Sequence, residues 1–472
     1  MINVHKIIYS TVVSSILLST QLNSTTLRES IVDTLNSNPN ILAEHYNKKY
    51  NRHAIDEQKA DYYPTLDFEA YIEDSSTYHD SEDDTQEGWG RKDGWDATLK
   101  FEQVIYDGGQ TPAEIEQFRH RYYNLKYTSN SAIEDTILEV TNTYLDLILN
   151  QSLKEFGNFK IVAHNYYLGL ASEKEQISGE ILDRLQVESK IKAIVDNNLD
   201  VDVKSQKLLS TYKKLSGKEL HGNICRPIVN ENLIPPTLEE AIDIALKSDN
   251  RIRAQYERIQ EQKALVEVTK AKFRPDLKFQ LEGKWDNDLS LAENGQEDIY
   301  RGRLTSAWNL YEGGKDTITL EKEKIAVLEQ RKILDSIKND IIEEISSSYN
   351  TYFQMKKRIK NLKEFVDVNN KIVDVYREQL KEGSRTFLDL LNAETEVFRT
   401  RILLEEEEIN RYKEYFKILK SLNKLSDTVL IQKNQVCKKF NINTILPDYD
   451  KQYKNQESST DLEQISESLG LD

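Results

Sequence analysis

Few side chains in this sequence are arranged for making or breaking bonds. Seven histidines serve 472 residues, and none falls in a His-Glu-x-x-His pair. No phosphate-cradling glycine loop and no Gly-x-Ser-x-Gly elbow occurs. The 80 acidic residues recur on periodic faces and do not converge in one cluster. The chain therefore reads as no enzyme, with no cofactor and no metal site. What its charged residues can do is electrostatic: line a surface, attract one sign of ion, or pair across an interface. A formal net charge of −17 excludes nucleic acid as a partner, because phosphate binding needs a basic face. The two cysteines, Cys225 and Cys437, are too few for a disulfide framework. A single bridge between them stays open.

The elements that position these charges are organised by two double glycines. Before Gly108 and Gly109 the residues alternate in strand fashion, and after them apolar residues recur at helical spacing. Glycine can take positive φ, so the chain can turn sharply from strand to helix there. Thr111 is placed to cap the helix, with Pro112 at its first position and Glu114 completing a Thr-x-x-Glu box. The same device returns at Gly313 and Gly314. The two strand-to-helix junctions imply a duplicated unit.

The duplication extends further. Thr237-Leu-Glu-Glu240 repeats Thr26-Leu-Arg-Glu29, and the decapeptide from Lys270 repeats that from Lys59, both at an offset of 211 positions. Each repeat holds a short capped helix, a strand opened by Pro64 or Pro275, an acidic loop, a second strand, and a helical hairpin broken at Gly179 or Gly383. The pattern places the first repeat at 24–220, with strands at 63–74 and 94–107 and a hairpin at 111–216. A linker at 221–236 leads to the second repeat at 237–428, with strands at 274–286 and 300–311 and a hairpin at 315–425. Residues 429–472 read as a polar, mobile tail. Residues 1–23 carry Lys6 and an interrupted apolar run from Ile7 to Leu18, the pattern of a secretory signal.

Each of the four strands is amphipathic and roughly ten residues long, enough to cross an outer membrane at a tilt. Leu66, Phe68, Ala70 and Ile72 face one way, and Asp67, Glu69, Tyr71 and Glu73 the other. No apolar run elsewhere is long enough for a membrane helix, so a membrane location requires a β-barrel. Four strands cannot close one, because the smallest membrane barrels have eight. The chain must then oligomerise.

This order of elements resembles the TolC family of outer-membrane channels over about residues 26–425. The residues that carry the resemblance are Tyr106-Asp-Gly-Gly109, Tyr311-Glu-Gly-Gly314 and the tip sequence from Gly383 to Glu394, GSRTFLDLLNAE. The resemblance implies an α+β membrane protein: a homotrimer sharing one twelve-stranded barrel in outer-membrane lipid, continued by a periplasmic coiled-coil tunnel. It implies the exit duct of a tripartite efflux pump or type I secretion system. The partners would be a periplasmic adaptor and an inner-membrane transporter of ABC or RND type. A soluble periplasmic coiled-coil adaptor is the alternative. The family's periplasmic gate maps onto Asp183, Arg385, Asp389 and Asn392, with Arg385 and Asp183 as a lock. Asn392 stands where some members carry a second aspartate. Threefold symmetry would set three Asp389 carboxylates around one axis, and their repulsion would raise at least one pKa. The first tip is two positions shorter than the second, counted from Gly179 to Asp183 against Gly383 to Asp389.

Overall fold

The computed structural model describes residues 24–79, 88–220, 223–287, 289 and 295–431. The expected signal segment, Cys437 and all but the first three residues of the expected tail lie outside the described residues. In chain order the elements are β1 (Ser24–Thr25), α1 (Leu27–Ser37), α2 (Pro39–Ala60), β2 (Thr65–His79), β3 (Gly88–Asp107), α3 (Gln110–Ser178), α4 (Leu182–Ser216), β4 (Asn223–Ile224), α5 (Leu238–Ser248), α6 (Asn250–Ala271), β5 (Asp276–Asn287), β6 (Gln296–Ala307), α7 (Lys315–Lys381), α8 (Phe387–Ser421) and α9 (Leu425–Ile431). Helix dominates, with one small antiparallel sheet, and the duplicated α+β unit is evident in the element order.

The chain divides into two compact units, and α3 and α7 each contribute to both. One unit comprises 40–133 and 242–344. Its sheet has the order β2-β3-β5-β6, antiparallel throughout. The first hairpin is longer than its alternation suggested, because β2 runs to His79 and β3 starts at Gly88. Asp74 and Arg91 hold this extension with an ion pair at 2.7 Å. The fourth strand keeps its expected length but lies four residues earlier than 300–311, starting at Gln296. It ends at Ala307, and Trp308 to Tyr311 are irregular.

The other unit comprises, among the described residues, 24–39, 134–241 and 345–431. Here Thr26 and Glu29 form the full capping box that their spacing predicts, opening α1. β1 pairs with β4 in parallel. The fully buried Tyr144 fastens that pair: its hydroxyl donates toward the carbonyls of Thr25 and Cys225 at 2.8 and 2.6 Å and accepts from the Cys225 amide at 3.0 Å. The segment expected to be a linker thus contains a two-residue strand and a buried cysteine. Cys225 is disulfide-bonded. The residues just before the expected tail and its first three are ordered too. They form α9, with Val429 buried and Arg28 Nε donating to the Leu430 carbonyl at 3.0 Å.

Candidate functional site: a two-faced sheet and two hairpin tips

The register of the sheet turns the alternation of single strands into two continuous faces. Leu66, Phe101 and Leu281 stand in one row, and Phe68 and Leu99 in the next on the same side. Leu66, Phe68, Ile72 and Leu304 are 67, 68, 89 and 62% exposed. So large a contiguous apolar face is unfavourable in water and fits a lipid environment. Aromatic residues mark its ends: Trp285 stacks edge-on to Tyr300, and Trp308 Nε1 donates to the Phe273 carbonyl at 3.2 Å.

The opposite face alternates in charge across the strands. Asp67, Lys100, Glu282 and Arg301 form one such row. Lys100 pairs with Glu102 at 2.9 Å, Arg301 with Glu282 at 3.1 Å and Lys284 with Asp96 at 2.8 Å. Where this face meets the helices lies a cavity of about 880 Å³, walled in part by Glu102, Asp107, Asp276, Asp316, Arg274 and Lys278. Strands β2 and β6 each have one neighbour, so each leaves an edge unpaired among the described residues.

The glycine junctions turn as their composition requires, with φ of 72° and 89° at Gly108 and Gly109, and 62° and 82° at Gly313 and Gly314. The capping differs from the sequence reading. Asp107, not Thr111, satisfies the first free amides of α3. Its carboxylate accepts from the backbone N–H of Gly109, Gln110 and Thr111 at 3.0, 3.0 and 2.6 Å. The double-glycine turn swings the strand's last side chain over the helix end. Glu114 instead takes donors from Gln110 and Gln58. Pro64 and Pro275 each stand one residue before a strand, after a matched turn that leaves α2 or α6. There a proline's missing donor costs no ladder bond.

The hairpin tips belong to the other unit. Gly179 and Gly383 both take φ of 75° at the ends of α3 and α7. Beyond them the two tips diverge. In the first, Ile181 stands at the N-cap of α4 without a side-chain cap, and Lys174 spans the turn to Asp183 at 2.6 Å and Glu180 at 3.3 Å. In the second, Thr386 and Asp389 form a reciprocal capping box at the start of α8. Arg385 lays its guanidinium 4.5 Å from the Tyr376 ring centroid and donates from Nε to the Gln379 side-chain oxygen at 3.0 Å. Asp183 and Arg385 are thus each engaged within their own hairpin and do not pair with each other within the chain. Asn392 is exposed. Within the single chain the Asp389 carboxyl is held below its usual range, chiefly by the Thr386 hydroxyl and then by the Thr386 amide and Arg385. This direction is opposite to the one a ring of three carboxylates would impose.

The sequence reading missed Glu394, which is buried to 6% exposure just inside the second tip. It accepts from the Tyr167 hydroxyl at 2.5 Å and from Arg377 Nη2 at 3.4 Å. A signal was present: Glu394 follows Leu390 by four and precedes Val397 by three, so it stands on the apolar seam of α8. No cluster of metal-ligating side chains occurs among the described residues, and no helix there is long and apolar enough to cross a membrane.

An amphipathic sheet with open edges, passing through glycine turns into long helical hairpins, defines a membrane channel subunit. The model of the outer membrane efflux protein family matches residues 30–174 and 241–423, and the chain belongs to that family. Its place is the outer membrane with a periplasmic helical tunnel, and its work is that of an efflux exit channel, in a family of conduits and not of enzymes. Among solved structures it is similar to the CmeC outer-membrane channel of Campylobacter jejuni, with 12% identity, a TM-score of 0.73, and 92% of this chain and 94% of that one covered. The outer membrane protein VceC of Vibrio cholerae is similar at 16% identity and a TM-score of 0.70, covering 84% of this chain and 95% of that one. CusC is similar at 14% identity and a TM-score of 0.74, covering 86% and 95%. At these identities the likeness is one of fold. No curated protein sequence matches the chain.

Proposed function

We propose that three copies of this chain close one twelve-stranded barrel and act as a passive conduit with no catalytic step of their own. The observation that carries the reading is the sheet itself: an exposed apolar face, a charged opposite face and, among the described residues, an unpaired edge on β2 and β6. Joining the β6 edge of one copy to the β2 edge of the next satisfies both edges and puts the charged faces around one aqueous lumen. The adaptor and the inner-membrane transporter, of ABC or RND type, are the proposed partners, because a passive duct needs an energised pump to load it.

The periplasmic entrance is assigned to the hairpin tips, with Asp183, Arg385, Asp389 and Asn392 as its polar residues. Gathered around a threefold axis, Asp389 would concentrate cations at the entrance. Planar-bilayer recordings test this. The wild type is expected to prefer cations and to be blocked by multivalent ones, and Asp389→Ala to lose both properties. Arg385→Ser should raise single-channel conductance. Survival of cation preference and block in Asp389→Ala would remove the entrance from that residue.

A further inference from the structure

The capping of α8 explains how the second tip is shaped, but not why a carboxylate is buried directly behind it. Glu394 abuts an apolar cluster that includes Leu390, Leu391 and Val397 of α8 with Ala171 of α3 and Val187 of α4. Its Oε1 receives both of its donors, Tyr167 from α3 and Arg377 from α7. Its Oε2 is buried with no hydrogen-bond partner among the described residues. One side chain thus ties three helices together with half its hydrogen-bonding capacity unused.

We propose that Glu394, clasped by Tyr167 and Arg377, is the latch that sets how readily α8 parts from α3, and that its proton governs opening of the tip. The inference rests on the reading of the tips as the channel entrance. A neutral carboxyl tolerates an apolar wall far better than a carboxylate with one oxygen unserved. Parting of α8 from α3 lets water reach that oxygen. Ionisation therefore favours the parted arrangement, and protonation the packed one.

The charged groups around Glu394 do not cancel this effect. From α3 Tyr167 and Lys160 act on it, and from α7 Arg377; from α4 Lys190 acts on Lys160. Burial outweighs these partners and leaves the Glu394 carboxyl above its usual range. The nearest histidine along α3, His164, is pushed down to about 4 by burial and by Lys160, so it stays neutral through the relevant range. Asp389, held low by Thr386, ionises at more acidic pH than Glu394. The sign follows: packed-state stability from Glu394 is present at low pH and is lost as pH rises through its raised pKa.

Planar-bilayer recordings of the full chain at pH 5 and pH 8 test the latch, with Glu394→Gln, Glu394→Asp and Tyr167→Phe beside the wild type. Each pK unit separating the packed and wetted states changes the open-to-closed ratio about tenfold. The wild type should therefore open more at pH 8 than at pH 5, by about tenfold for each such unit. Glu394→Gln should stay at the low level at both, and Glu394→Asp should restore the rise. Tyr167→Phe, which removes a donor from the carboxylate, should open more than the wild type at pH 8 only. A wild-type pH rise retained in Glu394→Gln overturns the latch. Should Glu394→Gln fail to assemble, an unchanged open ratio of Tyr167→Phe at pH 8 overturns it equally. Wild-type pores without any pH response sink the latch alone, whereas absence of wild-type pores sinks the conduit reading and the latch with it.

Discussion

The two repeats use the same sequence devices and end with different physics. At the first junction a Cβ on Gly108 would lie 2.6 Å from the Ala271 carbonyl oxygen, and Arg274 donates from Nη1 to the Gly108 carbonyl at 2.8 Å. At the second, a Cβ on Gly313 or Gly314 would meet nothing within 4 Å. Asp107 caps α3 with three amide contacts, while its counterpart Glu312 pairs with Lys315 at 3.3 Å. The tips invert this order. The first is held by ion pairs of Lys174 with Asp183 and Glu180 and of Arg184 with Glu175, and the second by a capping box and a buried carboxylate. The two repeats share their turn residues, and the neighbours decide which copy is more closely packed.

The sharpest way to break this comparison is at the glycines. Gly108→Ala combines a left-handed backbone with a backbone clash, and should cost about 3 kcal/mol in detergent unfolding. Gly313→Ala carries only the conformational penalty, about 1–2 kcal/mol. Equal losses would mean that the first junction is no more tightly packed than the second. Caps come next. Asp107→Ala should cost about 1–2 kcal/mol, and Glu312→Ala less than about 0.5 kcal/mol. The same denaturation series reads both, and a Glu312 loss matching that of Asp107 would erase the asymmetry.

Smaller effects separate the tips. Thr386→Ala should cost about 1 kcal/mol through the lost cap. Asp183→Asn removes an ion pair with Lys174, an exposed lysine, and should cost less than about 1 kcal/mol, shrinking further in high salt. A salt-independent loss at Asp183 would show that its carboxylate does more than pair with Lys174.

What the sequence disclosed and what it hid follow from the range of the forces involved. Strand alternation, the glycine turns and the matched repeats were legible because each depends on residues adjacent in the chain. Leu66 and Phe68 announce a face by their own spacing, and the register then joins them to Phe101 and Leu99. Asp107 was overlooked because Thr111 and Glu114 satisfy the usual capping pattern. The sharp turn that brings the aspartate over the helix end is a three-dimensional fact. The strand extension to His79 was hidden because Ser75, Ser76 and Thr77 show no apolar alternation, and its pairing with the strand that carries Arg91 is a tertiary fact. Glu394 was visible as a letter in the tip motif, but its burial depends on Tyr167, which is 227 positions away.

The proposed barrel, closed by copies of this chain, accounts for both the exposed apolar face and the open strand edges. Native mass measurement of the detergent-purified protein, paired with conductance of the same sample, tests it most directly. Three chains per particle, with pore activity confined to that species, is the predicted result. A single chain that conducts ions would contradict it.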